Sequence, residues 1–206
     1  MDVGAIVHSS LVIIKAKESD SYLCSEMTWR KRPLYYGRKK LMGGNKNEND
    51  ISPHFTLSRE LCEEIEPSNK YKESFAPRED LVLIREAILN SSNLKPWVSF
   101  LVTIPCVDGG LDKDLNVYGN TYLSTLPEDA FALAREHIAQ GKRITNEGDA
   151  CVVTLDELLR GKVLFAYANG VILDRFLREH YSLHREIIPN PEKVIVHSEH
   201  SIPLTY

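Results

Sequence analysis

The sequence predicts an α/β fold in a single domain over residues 1–206, with a core at about residues 5–180 and a C-terminal extension at 181–206. Two observations support this prediction. Runs dense in β-branched residues, such as Leu11-Val12-Ile13-Ile14, are typical of strands. They alternate with segments whose apolar residues recur at helical spacing. With 206 residues, of which 43% are hydrophobic and 26% charged, the chain has the composition of a folded soluble protein.

Composition also limits the partners. The net charge of −4 gives no broad attraction to nucleic acid or to an anionic membrane, although a locally basic groove would still allow nucleic-acid binding. No apolar stretch approaches the length of a membrane span. The first residues, Met1 to Gly4, lack the basic region of a signal peptide. We therefore expect a cytoplasmic protein. A homodimer is possible.

The four cysteines are widely spaced and form no CxxC pair. A zinc site or a disulfide framework is therefore not expected, and reduced thiols are favoured.

The first elements should form a hairpin. A strand is predicted from Ala5 to Lys15, followed by a polar turn and a returning strand over Tyr22–Met27. The segment Trp29–Lys40 mixes arginine and lysine with aromatic residues, a mixture that can bind bases and phosphates, and Arg38 is a candidate phosphate ligand. The favoured interpretation of this segment is a solvated hairpin edge whose charges discourage strand pairing.

A glycine pair and a short helix come next. Gly43 and Gly44 can adopt backbone conformations closed to other residues and let a ligand approach closely. Ser52 and Pro53 suit the start of a helix. The helix should end near Ile65, because Pro67 cannot continue it.

This helix should carry one apolar and one acidic flank. At roughly 100° per residue, three carboxylates fall within one arc and three aliphatic residues cluster beside it. The carboxylates are Glu60, Glu63 and Glu64, and the aliphatic residues are Leu57, Leu61 and Ile65. Carboxylate oxygens are the ligands that hard cations such as Mg²⁺ prefer. On spacing alone, a solvated helix face is the commoner explanation of such a pattern.

The middle of the chain is less clear. Asp80 to Asn90 has apolar residues at helical spacing, but Leu81-Val82-Leu83-Ile84 also suits a buried strand. We favour a hairpin formed with a strand over Trp97–Pro105. A further strand is predicted over Val117–Leu123, and a helix over Pro127–Gln140 that Gly141 ends.

The last third begins with a short strand, Cys151 to Val153. Thr154 and Glu157 then have the spacing of a capping box at the start of a short helix. A final helix is predicted over Asn169–His180. In the C-terminal extension Val194-Ile195-Val196 is strand-like, but the prolines around it prevent an assignment.

These residues resemble the Nudix superfamily of pyrophosphohydrolases, whose box reads Gly-x5-Glu-x7-Arg-Glu-U-x-Glu-Glu-x-Gly-U with U aliphatic. The box matches Arg59-Glu60-Leu61-Cys62-Glu63-Glu64, which the glycine pair precedes at about the expected distance. The segment from Cys151 to Leu158 is similar to the family's late strand entering a short helix, and Phe165 to Leu177 to its terminal helix. The resemblance implies an α/β/α sandwich with a curved mixed sheet.

The chain departs from the box at several positions. One extra residue lies between Gly44 and Arg59, and the first glutamate position falls on Ile51, so Glu48 or Asp50 would have to pair with Arg59. Glu66-Pro67 replaces the closing glycine and aliphatic residue.

The resemblance implies Mg²⁺-dependent hydrolysis of a nucleoside diphosphate linked to another group, with Mn²⁺ as a possible substitute. It assigns Glu60, Glu63 and Glu64 as metal ligands. The general base would be a box glutamate, Glu63 or Glu64, or a loop glutamate, for which Glu147 has the comparable position. Gly43, Gly44, Arg59 and Arg38 are assigned to the substrate side of the site.

Two other hypotheses remain. The chain could be a catalytically silent Nudix-like module that binds a nucleotide or a protein. It could also be an unrelated α/β protein with a fortuitous acidic helix, which requires that the glycine pair and the acidic helix do not lie together beside a mixed sheet.

Overall fold

A mixed sheet of eight strands forms the centre of residues 6–66 and 74–201, the parts of the chain that the computed structural model describes. The strands lie in the order β3-β2-β1-β6-β5-β8, β4 also pairs with β1, and β7 also pairs with β2. β1 and β6 are parallel, and the other pairs are antiparallel. The strands are β1 (Val7–Ala16), β2 (Ser21–Glu26), β3 (Lys39–Lys40), β4 (Met42–Asn45), β5 (Leu94–Ile104), β6 (Leu115–Leu126), β7 (Asp149–Thr154) and β8 (Ile195–Ser201).

Helices cover both faces of this sheet, which confirms the predicted Nudix-like α/β/α arrangement. The helices are α1 (Pro53–Glu64), α2 (Arg78–Leu89), α3 (Glu128–Ala139), α4 (Leu155–Leu159) and α5 (Asn169–His180). Apolar residues of α1, α2 and α3 pack in one core cluster, and those of α5 in a second. The predicted start of the first strand, Ala5, lies outside the described residues.

The strand β1 contributes side chains to both clusters, because successive side chains of a strand point to opposite faces of a sheet. Val12 and Ile14 belong to the cluster under α1, α2 and α3, whereas Ile13 belongs to the cluster under α5. This explains why the run that predicted the strand is continuously apolar rather than alternating.

The helices predicted around 53–65, 127–140 and 169–180 are confirmed. At α1, the Oγ of Ser52 accepts a hydrogen bond from the backbone N–H of Phe55 at 3.1 Å, as expected of an N-cap. The capping box at α4 is also present, with Thr154 and Glu157 satisfying each other's backbone N–H groups. Pro67, which was expected to stop α1, lies outside the described residues.

The hairpin favoured over residues 80–90 is wrong, because this segment is the helix α2. Leu81, Ile84 and Ile88 are buried, whereas Leu83 is exposed, so the helical spacing was the correct signal. The helix starts directly after Pro77, with Glu79 and Asp80 in its first turn. Contacts with α3 and β6 cover its apolar side, and a sequence window contains no information about these contacts.

The C-terminal extension contributes to the fold. Its strand β8 pairs antiparallel with β5 and forms the edge of the sheet. Before this strand, the backbone N–H groups of Ile187 and Ile188 both donate to Oδ1 of Asp174 on α5, at 2.7 and 2.9 Å. The described part of the extension is thus tied to α5 and to the sheet.

All four cysteines are free, although Cys24 and Cys151 lie opposite each other on β2 and β7. Among the helices of residues 6–66 and 74–201, none is both long and apolar enough to cross a membrane.

The core under α5 offers a stability test. Leu173 is fully buried there, so Leu173→Ala should lower the free energy of unfolding by about 2–5 kcal/mol through lost burial and a residual cavity. The exposed Leu159 on α4 is the matched control, and Leu159→Ala should change the free energy by less than about 0.5 kcal/mol. Urea unfolding followed by circular dichroism measures both, and equal losses would contradict the packing of α5 on the sheet.

Candidate active site

Arg59 on α1 is the centre of an ion-pair network. Its Nε and Nη2 donate to the two carboxylate oxygens of Asp50, each at 3.0 Å. The same guanidinium reaches Glu60 at 2.7 Å and Glu63 at 3.1 Å. Its Nη2 also donates to the backbone carbonyl of Asn45 at 2.8 Å, so Arg59 ties the loop after the glycine pair to α1.

Of the two acids that could pair with Arg59, Glu48 and Asp50, the structure shows Asp50 in this position. Its side chain is buried, and it also accepts a hydrogen bond from the backbone N–H of Asn47 at 2.9 Å. Glu48 is exposed, and Ile51, at the family's first glutamate position, is 88% exposed. Hydrogen bonds from Arg59 lower the pKa of Asp50 to about 2. Asp50 thus takes the place of the glutamate that the box has at position 51, next to the extra residue of the loop.

The glycine pair brings α1 close to the sheet. Gly43 has a φ of +117°, and a Cβ on it would lie 2.2 Å from the backbone oxygen of Ser10, so glycine is required there. A Cβ on Gly44 would lie 2.2 Å from Oε2 of Glu60. The backbone N–H of Gly43 donates to Oε2 of Glu64 at 3.0 Å. The predicted association of the glycines with the acidic helix is therefore present, which rejects a fortuitous acidic helix.

Lys40 on β3 lies between two carboxylates. Its Nζ is 2.8 Å from Oε1 of Glu64 and 2.8 Å from Oε2 of Glu147. Glu64 is only 2% exposed. Burial opposes the charge of Lys40, but the two carboxylates outweigh this effect and raise its pKa.

The loop that carries Glu147 is attached to the C-terminal end of α1. The backbone N–H of Asn146 donates to the carbonyl of Glu64 at 2.7 Å, and its side-chain amide donates to the carbonyl of Glu63 at 2.9 Å. Gly148 has a φ of +99°, and a Cβ there would lie 2.0 Å from the carbonyl oxygen of Glu26. These contacts bring Glu147 next to the acidic helix, although the two are far apart in sequence.

The acidic residues fit a hard divalent ion in the chemistry of their donor atoms, since all are carboxylate oxygens. In the described parts of the chain, however, no three side chains of His, Cys, Asp or Glu converge as a group that could hold a metal ion. Arg59 engages Glu60 and Glu63, while Lys40 engages Glu64 and Glu147. Burial raises the pKa of Glu60, although Arg59 opposes this shift. The assignment of Glu60, Glu63 and Glu64 as metal ligands stays a prediction.

A cavity of about 560 Å³ opens beside these residues, a size typical of ligand sites. Lys40, Gly43, Gly44 and Glu147 line it, together with a second group formed by Trp29, Arg32 and Tyr167. Nη1 of Arg32 donates to the hydroxyl of Tyr167 at 3.2 Å, which holds the two side chains together. Tyr167 has a φ of +56°, a strained conformation that is often found at functional sites.

Sequence reasoning placed two cations differently from the structure. The sequence places Lys40 only within the basic segment, whereas in the structure it pairs with Glu64 and Glu147. Neighbouring residues of a strand point to opposite faces, so Lys39 and Lys40 were bound to have different surroundings. Arg38 does not line the cavity. Its guanidinium pairs instead with Glu192, which is buried, and lies over the ring of Tyr35 at 5.6 Å. Arg38 is therefore not part of the proposed site.

No protein-family model matches this chain, and no curated protein sequence matches it. Among solved structures, the NrtR protein of Shewanella oneidensis aligns over 85% of this chain with 13% identity and a TM-score of 0.48. The alignment spans 62% of the length of that NrtR chain.

The NUDIX domain of NrtR in complex with ADP-ribose aligns over 86% of this chain and 89% of its own, with 12% identity and a TM-score of 0.47. The MutT protein of Bacillus halodurans aligns over 96% and 99%, with 14% identity and a TM-score of 0.39. At such identities the similarity concerns the fold alone. The Nudix-like fold follows from the glycine pair and the acidic helix beside a mixed sheet between helices.

The pairing of Asp50 with Arg59 can be tested by pH. Asp50→Asn should lower the melting temperature near neutral pH because it removes a buried charge partner of Arg59. The pKa of Asp50 is lowered from 3.8 to about 2, so its stabilising effect should be complete above pH 3.8 and lost as the pH falls through about 2.

Thermal unfolding of the wild type and of Asp50→Asn between pH 2 and pH 7 measures this effect. Glu48→Gln, at the exposed alternative position, should leave the melting temperature unchanged. A loss with Glu48→Gln but not with Asp50→Asn would contradict the assignment of Asp50.

Proposed function

We propose that this chain is a Mg²⁺-dependent pyrophosphohydrolase that cleaves a nucleoside diphosphate linked to another group. The observation that carries the proposal is the cavity in which Lys40, the glycine pair and Glu147 lie together with Trp29, Arg32 and Tyr167. One cavity thus offers groups suited to phosphate chemistry and groups suited to a base or sugar.

Trp29 and Tyr167 are suited to the nucleoside part. An aromatic face can stack on any base, and an arginine beside it adds a cation that attracts either an aromatic face or a phosphate. Arg32 is fixed against Tyr167 by a hydrogen bond and lies 5.9 Å from the centre of its ring. The base therefore meets a partly pre-organised surface.

Lys40 and the glycine pair are suited to the phosphates. Lys40 lines the cavity, and its ammonium group could act as a point charge for a phosphate oxygen. Gly43 and Gly44 line the cavity, so a phosphate bound there would lie beside the β4 backbone.

Glu60, Glu63 and Glu64 would hold Mg²⁺, or Mn²⁺ in its place. When bound, such an ion would screen the charge of the diphosphate and lower the pKa of the attacking water. Arg59 would then act on the site indirectly, by fixing the side chains of Glu60 and Glu63.

Glu147 is the best placed general base. Its side chain is partly exposed, lines the cavity and lies 2.8 Å from Lys40. In the reaction, water adds to one phosphorus and Glu147 takes the proton. The P–O bond to the bridging oxygen breaks, and the departing phosphate keeps the electron pair. Glu63 or Glu64 is the alternative base.

A silent binding module is the second candidate, and a specific observation favours it. Arg59 already engages Glu60 and Glu63, and Lys40 engages Glu64, so protein cations hold the three carboxylates that hydrolysis would require for a metal ion. A protein in which these ion pairs persist would bind a nucleotide through Lys40, Arg32 and the aromatic side chains, without turnover.

Turnover separates the two candidates. A panel of nucleotide sugars, dinucleotides and ADP-ribose, incubated with Mg²⁺ or Mn²⁺, should release a nucleoside monophosphate. The double variant Glu63→Gln/Glu64→Gln should lose at least about 100-fold in kcat/KM, since metal-ion catalysis is worth several kcal/mol. The single variant Glu147→Gln should lose about 10²–10⁴-fold if this residue is the base.

Glu79→Gln/Glu86→Gln, two exposed carboxylates of α2, is the matched control and should keep full activity. Unchanged activity of the Glu63/Glu64 double variant would overturn the metal assignment. Tight nucleotide binding by calorimetry without turnover in either metal would establish the binding module instead.

The proposed stacking of a base on Trp29, which lines the cavity, gives a separate prediction. Trp29→Ala should raise KM, or Kd in a silent module, by the equivalent of about 1–3 kcal/mol, because stacking of one base is worth this much. Tyr36→Ala is the control, since Tyr36 is exposed but does not line the cavity. Equal effects of the two substitutions in a titration with ADP-ribose would contradict a base-stacking role for Trp29.

A further inference from the structure

Lys40 lies in an unusual environment for a lysine. The residue is only 9% exposed, and its ammonium contacts Glu64 and Glu147 at 2.8 Å each. Lys39, its neighbour on β3, points to the other side of the strand and pairs with Glu26. The two lysines are adjacent in sequence, but only Lys40 enters the acidic cluster.

This ammonium uses the oxygens that a divalent ion would need. Oε1 of Glu64 accepts from Lys40, and Oε2 of Glu64 accepts from the backbone N–H of Gly43 at 3.0 Å. Glu147 comes to the cluster from a distant loop and meets Glu64 through the same ammonium. A metal ion can therefore bind Oε1 of Glu64 only after Lys40 has left.

We propose that Lys40 is a built-in cation that lies between Glu64 and Glu147 in the free protein, competes with a divalent ion for Glu64 and holds Glu147, the proposed base, in an ion pair. This inference rests on the proposed function and concerns the regulation of the same site. It assigns to Lys40 a positioning role, since Lys40 acts through the carboxylates.

The cavity provides a second place for the ammonium. Because Lys40 also lines the cavity, a phosphate bound there is an alternative partner for its charge. An anionic ligand that draws Lys40 away frees Glu64 for the metal ion and Glu147 to act as the base, and the bound metal ion in turn releases Lys40 to the ligand. Each ligand should thus increase the affinity of the protein for the other, as linkage requires.

Metal affinity without any nucleotide tests this inference. Mn²⁺ binding is measured by electron paramagnetic resonance at pH 8 for the wild type and for Lys40→Met, which keeps the length of the side chain but not its charge. Lys40→Met should bind Mn²⁺ at least about tenfold more tightly, since two cations a few ångströms apart repel strongly even at an effective dielectric constant of about 20. Lys39→Met is the matched control and should bind as the wild type does.

The variant leaves Glu64 buried without its cation, which could prevent folding. A measurement on the wild type avoids this problem. Amine-reactive labelling followed by mass spectrometry should show slow modification of Lys40 in the metal-free protein and faster modification after Mn²⁺ is added, with Lys39 as the internal reference. Labelling of Lys40 that does not respond to saturating Mn²⁺ would overturn the competition.

The outcomes separate this inference from the proposed function. Equal Mn²⁺ affinity of the wild type and a folded Lys40→Met, or no binding by either, would overturn the competition. The proposed function is tested by turnover, so hydrolysis with unchanged metal affinity in Lys40→Met would refute only the role of Lys40. Tighter Mn²⁺ binding by Lys40→Met, with no turnover of any substrate by the wild type, would support the inference and reject hydrolysis.

Discussion

The site depends on two cations that hold five carboxylates at one edge of the sheet. Arg59 binds Asp50, Glu60 and Glu63, and Lys40 binds Glu64 and Glu147. Clustered carboxylates repel one another, so these cations offset the repulsion between the elements that carry them. The same elements are also joined by hydrogen bonds of Asn146 to the end of α1. The two glycines of β4 permit the approach, since a side chain at either position would collide with Ser10 or Glu60.

Burial makes part of this network costly. Glu64 is almost inaccessible, so water cannot solvate its charge. Lys40 and the backbone N–H of Gly43 offset this loss of solvation. A buried ion pair of this kind adds little net stability compared with apolar packing. Stability comes instead from the two apolar clusters on the faces of the sheet, where Leu57 and Leu61 anchor the apolar flank of α1. The apolar flank fixes the helix, and the neighbouring acidic flank carries the ion pairs.

The sequence predicted the elements whose signals are local. Ser52 and Pro53 indicated the start of α1, and the Thr154–Glu157 pair indicated α4, because caps and turns act within a few residues. The acidic flank of α1 and its association with the glycine pair were also predicted. The helix α2 was missed because its four consecutive apolar residues also satisfy the pattern of a buried strand, and the contacts with α3 and β6 that favour the helix are not local. The partners of Lys40 and Arg38 were beyond reach, since Glu147 and Glu192 lie 107 and 154 residues away along the chain.

The same residues are compatible with the proposed hydrolase and with a binding module, and on our proposal the position of the Lys40 ammonium group would distinguish the two. With Lys40 between Glu64 and Glu147, the acidic cluster is compensated and the cavity presents a cation to an anionic ligand. With Lys40 on the ligand, the carboxylates carry unbalanced negative charge, which is the condition that a divalent ion requires. An irregular box therefore does not decide the function by itself. Asp50 already compensates for the missing glutamate at Arg59, whereas Lys40 brings a positive charge to Glu64, one of the proposed metal ligands.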